Sequence, residues 1–308
     1  MIRITPDPTA FEIGPLAVGW YGLGYVLALG AMLAVTQVEV ERRGIDRRHV
    51  ASAILLVAIL ALAGARLYHV IDQFDACGPG GPCYRERPLA IVLPPYSGLG
   101  LYGGIAGALL GIVIYARRQS IPVWKAIDAV IPGTLLAQGI ARWGNFFNQE
   151  LYGPPTSLPW GIAIDCEHRV ALYPCTAFPF ETTGFHPLFF YESALDIVGA
   201  IVALWLSRRF AARLRDGDLG SFWLIWYGGV RTVLETFREG YNWRLFDTIP
   251  MAMVIGIAAM VVGVVLVVLR HRRPRSPSPD PQPSATEPMP AATESGVDTP
   301  DPSTVTRA

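Results

Sequence analysis

Three sets of polar side chains in this chain have types and spacings suited to chemistry on an anionic group. Arg231, Glu235 and Arg238 follow i, i+4, i+7 and fall on one helical face. Glu192 and Asp196 lie four apart in an apolar stretch, and Arg66 and His69 share a face in another. The third set is the string Gly139-Ile-Ala-Arg-Trp-Gly-Asn-Phe-Phe-Asn-Gln-Glu-Leu-Tyr-Gly153, which packs Arg142, Asn145, Asn148 and Glu150 among aromatics and glycines. Arginine presents five donors in a planar fork that matches a phosphate. Asparagine adds neutral donors, and Gly144 and Gly153 permit close backbone approach. Ionisable groups at membrane depth cost about 2.5–3.5 kcal/mol each on insertion scales, so they default to paired or functional positions. An outward-facing polar cavity suited to an anionic lipid headgroup, with Arg66, Glu192 and Arg142 unpaired around it, accounts for them together. The structural alternatives are a local Arg231–Glu235 salt bridge and an Arg142 that snorkels beside Trp143 in the interfacial belt. The glycine-rich run Leu99 to Gly107 is open in the same way, since small residues also serve close helix packing.

The elements that must position these groups are membrane helices. Hydrophobic residues make up 52% of the 308 and charged residues only 16%, with a mean hydropathy of +0.36, too apolar for an ordinary soluble domain. A span needs about 20 mostly apolar residues. Seven stretches qualify, starting near Leu16, Val50, Ser97, Pro122, Pro187, Leu219 and Ile249. Fifteen of the 25 Lys and Arg residues fall in four short segments that follow alternate spans, after the first, third, fifth and seventh. Basic loops stay in the cytoplasm. The expectation is therefore an all-α polytopic membrane protein of seven transmembrane helices, N-terminus outside and C-terminus cytoplasmic. Residues 1–273 form the membrane domain. From 274 to 308 the composition turns to Pro, Ser, Thr, Ala and Asp, which predicts a disordered cytoplasmic tail. Residues 1–14 lack the pattern of a cleavable signal, so the first span is expected to be the insertion signal. The zero net charge averages a basic face with an acidic tail and gives no reason to expect a nucleic-acid partner.

All four cysteines, Cys77, Cys83, Cys166 and Cys175, fall on the outer, oxidising side, in two loops longer than connection requires. Two local disulfides fit that placement, with four free thiols as the alternative. The five histidines are scattered without ligand spacing, and no Gly-rich nucleotide loop is present, so neither a metal nor a cofactor is expected.

Through Arg142, Gly144, Asn145, Phe146, Asn148, Glu150 and Gly153, the string resembles the signature of bacterial prolipoprotein diacylglyceryl transferases. Three further segments are similar to that family in order: Gly14-Pro15 with Trp20-Tyr21-Gly22, His186-Pro187 with Tyr191-Glu192, and Arg231 to Arg238. The resemblance spans residues 12 to 270. It implies transfer of the diacylglyceryl group of phosphatidylglycerol to the lipobox cysteine thiol of a prolipoprotein signal peptide, forming a thioether and releasing glycerol phosphate. It also implies a bacterial inner (plasma) membrane location, with the site toward the outer face. Under this resemblance Arg142 and Arg231 hold the phosphate and stabilise the leaving group. Asn145 and Glu150 shape the headgroup site, and Tyr21, Gly153, Glu192 and Glu235 line the cavity, with Arg238 and His186 also binding substrate. The chain departs from the family where many members have His before the paired glycines of the third span and it has Tyr102-Gly103-Gly104. A phenol with a pKa near about 10 is a poor base at neutral pH. Tyr102 is therefore expected to position the headgroup, leaving His186, Glu150 or the departing phosphate to take the thiol proton. An anionic-lipid transporter or scramblase, and a membrane scaffold, are the competing readings. The chain shows neither inverted repeats nor broken helices, the common marks of a transporter.

Overall fold

A computed structural model describes residues 1–14, 16–75, 77, 83–92, 98–238, 244–245 and 248–274. Among them are seven helices of 18 or more residues: α1 (Trp20–Arg42), α2 (Arg48–Asp72), α3 (Leu101–Arg118), α4 (Val123–Ala141), α6 (Leu188–Arg209), α7 (Asp218–Glu235) and α8 (Met251–Arg272). A single turn, α5 (Trp143–Phe147), follows α4. Four of them, α1, α2, α6 and α8, are long and apolar enough to cross a membrane. Only 6% of the apolar window of α2 and 11% of that of α8 is buried within the protein, so these faces require lipid. The protein is a polytopic membrane protein. α3 is only 18 residues long and ends in Arg117 and Arg118, α4 carries Lys125 and Asp128, and α7 carries Asp218, Arg231 and Glu235.

α4 occupies the middle, packed against α1, α6 and α7, while α2 pairs with α3 and α7 with α8. Ile131, Leu135, Ala200, Ala203 and Leu219 form the core between α4, α6 and α7. The α2–α3 seam is made by glycine: a Cβ on Gly103 would overlap the carbonyl oxygen of Gly64, and one on Gly107 that of Leu60. The glycine-rich start of the third span is therefore a packing surface.

Two starting points differ from expectation. The first helix begins at Trp20 rather than near Leu16, because β1 (Thr9–Ile13) and β2 (Leu16–Gly19) pair as an antiparallel hairpin. Gly14, at φ +59°, supplies a left-handed residue between them. Ser97 lies outside the described residues, and α3 starts at Leu101.

Between α5 and α6 the chain builds a lobe around Tyr152, Ile162, Ile164, Tyr173, Phe185 and Phe189. It includes the short pair β3 (Pro155–Thr156) and β4 (Gly184–Phe185). The N-terminal residues join it: Ile2 N–H donates to Gly161 O at 2.7 Å and Ala163 N–H to Ile2 O at 2.9 Å. Both disulfides form, Cys77–Cys83 and Cys166–Cys175, the second closing a loop of this lobe. Residues Met1–Arg272 make one compact unit. The expected tail falls almost wholly from residue 275 onward, outside the described residues.

Candidate active site

The site begins where α4 ends. Arg142 caps that helix, and its Nη2 donates to Glu192 Oε1 near the start of α6. Glu192 is buried. The two helices come this close because Gly139 has no side chain: a Cβ there would lie 2.8 Å from Ile197 Cγ1 and 3.0 Å from Ser193 O. Ser193 Oγ seals the contact by donating to Gly139 O at 2.8 Å. Arg142 and Glu192 are thus a pair, contrary to the expectation that each stood alone. Arg66, the third group expected to be unpaired, donates to Ile91 O at 3.1 Å and Ala90 O at 2.7 Å. It braces the loop before α3, because a guanidinium in an apolar bundle must find acceptors.

The rest of the Gly139–Gly153 string turns back on itself. A Cβ on Gly144 would sit 2.6 Å from Tyr21 Cδ2, so its absence lets the Tyr21 ring lie against α5. Asn145 is buried, and its Nδ2 donates to Glu150 Oε1 at 3.1 Å, while Asn148 Nδ2 donates to the same oxygen at 3.2 Å. Asn145 therefore acts through Glu150, which it aims. Gln149 and Leu151, on either side of Glu150, hold left-handed φ values of 50° and 57°. Such backbone costs about 1–3 kcal/mol per residue and persists only when its surroundings fix it. The fixing group is the Gln149 amide, whose Nε2 donates to Asp165 Oδ2 at 2.6 Å and whose Oε1 accepts the Asp165 N–H at 2.8 Å. Gly153 donates its N–H to His186 O at 2.8 Å, and a Cβ there would press on Phe237 O at 3.1 Å. His186 Nδ1 lies 3.1 Å from the Tyr191 hydroxyl, which accepts from Trp160 Nε1 at 2.9 Å.

On α7, Arg231 Nη2 lies 3.1 Å from Glu235 Oε2, and Arg238 Nη1 lies 3.9 Å from the same atom. The local salt bridge exists and one carboxylate serves both arginines. Tyr227, one turn before Arg231, lies within electrostatic reach of Arg142, Arg231, Glu192 and Tyr102. Tyr102 is 37% exposed and its ring sits 5.9 Å from that of Tyr68. Tyr25 lies 3.5 Å, hydroxyl to hydroxyl, from Tyr21 and within reach of Arg142. Asp196 is fully buried, has no hydrogen-bond partner for either oxygen among the described residues, and faces Glu192 and Arg142.

Sequence reasoning passed over Tyr25 and Tyr227, and it noted Asp196 without giving it a role. Each sits one helical turn from a nominated residue on the same face, and that i±4 relation was the available signal. Gln149 had no signal, since its partner Asp165 belongs to the lobe.

The arrangement gathers guanidinium groups, each held by a buried carboxylate, with tyrosines and a strained acidic turn beside them. Such an arrangement has the donors to bind an anion. A family model described as prolipoprotein diacylglyceryl transferase matches residues 8–269, from β1 to the last turn of α8. The chain belongs to that family. Among its relatives, a phosphatidylglycerol–prolipoprotein diacylglyceryl transferase of Chloroflexus aggregans is 38% identical over 86% of this chain and 89% of its own. Proteins of the same name from Cutibacterium acnes (35% identical; 87% and 86%) and Synechococcus elongatus (33%; 84% and 86%) are similar over comparable lengths. Membership in the diacylglyceryl transferase family makes the chain a transferase of lipoprotein biosynthesis and leaves the transporter and scramblase reading without support.

Proposed function

We propose that this protein transfers the diacylglyceryl group of phosphatidylglycerol to the thiol of a lipobox cysteine in prolipoprotein signal peptides. The observation that carries the residue roles is that two arginines stand on buried carboxylates, Arg142 on Glu192 and Arg231 on Glu235. The thiol loses its proton, and the sulfur attacks the glycerol carbon that bears the phosphodiester oxygen. A C–S bond forms, the C–O bond breaks with its electron pair going to oxygen, and glycerol phosphate leaves. Charge therefore grows on the leaving phosphate, where prepositioned guanidinium donors in a dry site act most strongly. Arg142 spends Nη2 on Glu192, so the other N–H groups of its fork are the phosphate donors. Those same positive charges favour thiolate over a thiol whose ordinary pKa is about 8.5.

Tyr21, Glu150, Gly153 and Tyr102 line the headgroup site in this reading, with Asn145 positioning Glu150 and Arg238 and His186 at its rim. Tyr102 positions the headgroup, and the thiol proton passes to His186, Glu150 or the departing phosphate. The topology we propose has seven spans in the bacterial inner membrane, α3, α4 and α7 crossing with the four apolar helices. The N-terminus lies outside, the C-terminus in the cytoplasm, and the site faces outward. Basic residues in the last turns of α1, α3, α6 and α8 support this orientation.

The test uses purified protein in phosphatidylglycerol vesicles with a synthetic lipobox peptide, followed by mass and gel mobility beside Arg142→Ala. A diacylglyceryl adduct on the cysteine that disappears in the variant is the expected result. An unmodified peptide despite bound lipid would overturn the assignment.

A further inference from the structure

At the far end of the bundle from this site, α1 and α6 finish side by side around a cavity of about 190 Å³ lined by Arg42, Arg43, Ser207, Leu214, Arg215 and Asp216. Behind it lies Glu39, fully buried. Glu39 accepts the Ser207 hydroxyl at 2.7 Å and faces three guanidiniums, Arg42 at 3.7 Å, Arg43 at 3.9 Å and Arg208 at 3.8 Å. Arg43 Nη2 also donates to Ser207 Oγ at 3.2 Å, yet its Nε is buried and meets no acceptor among the described residues. Three guanidiniums, Arg42, Arg43 and Arg215, line the cavity against one carboxylate, Asp216. An unmet buried donor beside a basic cavity is costly.

We infer that this cavity binds the phosphate headgroup of an anionic phospholipid, in the leaflet opposite the active site. Ser207 lies fifteen residues along α6 from Glu192, or about 22 Å at 1.5 Å per residue, and Arg42 lies about 31 Å along α1 from Tyr21. The two sites are thus separated by most of the ~30 Å hydrocarbon layer. Basic pockets between membrane helices hold anionic headgroups by this chemistry. A lipid is favoured over free phosphate by what lies beneath Arg42. The same face of α1 continues through Val38 and Ala34 to Leu27, with Val38 50% and Leu27 67% exposed, an apolar track for an acyl chain.

The test is thermal unfolding of the full-length protein in neutral detergent with added dioleoyl phosphatidic acid, dioleoyl phosphatidylcholine or inorganic phosphate. Phosphatidic acid is expected to raise the midpoint by about 3 °C more than phosphatidylcholine, with inorganic phosphate giving no rise. That difference should shrink in Arg42→Gln/Arg43→Gln, the remainder coming from the active-site arginines. It should also shrink in Ala211→Trp, which puts a bulky side chain on the cavity lining, where Ala211 also lies, without changing charge and decides alone if the double variant does not fold. Equal effects of the two lipids, a full rise with inorganic phosphate, or a rise undiminished in Ala211→Trp would each overturn the inference. Because the active-site arginines are intact in every sample, failure here leaves the transferase reading standing.

Discussion

Arg142 was legible in the sequence by type and neighbours, but its bond to Glu192 was not, because 50 residues separate them and only the folded bundle brings α4 against α6. The pairing changes what a substitution should do. Arg142→Lys keeps the charge and loses the fork, so one ammonium would have to serve both Glu192 and the lipid phosphate. Its kcat is expected to fall about 10²-fold with lipid affinity largely kept, as steady-state peptide transfer would report. Wild-type kcat in that variant would rule out bidentate phosphate binding. Gly144→Ala is expected to be nearly as harmful, about 10²-fold in rate, although it adds one methyl group to the outer turn. The new carbon would push on the Tyr21 ring from 2.6 Å and displace it from the cavity wall. Near-wild-type transfer by Gly144→Ala would show that Tyr21 has no positional role.

Helices were the readable scale, and their ends were not. Apolar length predicted the number and order of the long helices, since a period of apolar residues is a local property. The start of α1 was missed because the alternation in residues 9–13 reads as a strand only once its partner at 16–19 is recognised. The i±4 neighbours Tyr25, Asp196 and Tyr227 were within reach of the same periodic reasoning. Glycine's role at α2–α3 stayed ambiguous in sequence, because close packing and ligand approach ask for the same residue. The structure makes the two separable by experiment. Gly107→Val forces a branched side chain onto the Leu60 carbonyl and should cost about 1–3 kcal/mol of stability, seen as a lowered unfolding midpoint. Gly104→Ala, whose nearest contact would be an ordinary 3.5 Å to Ala65 Cβ, should leave the midpoint unchanged. Equal losses in the two variants would contradict the seam.

On the scale of the whole molecule, the bundle carries the arginines and the lobe fixes the acidic turn, through Gln149 and Asp165. Cysteine placement foretold two braced loops, but no sequence signal foretold that the first residues of the chain belong to the lobe. Replacing Cys166 and Cys175 by serine should weaken the lobe by about 2–3 kcal/mol. Limited proteolysis should then cut within 152–187 while the helices stay intact, and unchanged protease resistance would mean that the aromatic core alone holds the lobe. The contact of Ile2 with Gly161 and Ala163 also sets a timetable. At about 5–20 residues per second, residue 163 emerges from the ribosome roughly 8–30 s after residue 2. The earliest part of the chain thus waits through the synthesis of the first four long helices before its partner exists. The lobe therefore takes up residue 2 only after α1 to α4 have been made, and the contact of Ile2 with residues 161 and 163 joins two parts of the chain synthesised far apart in time.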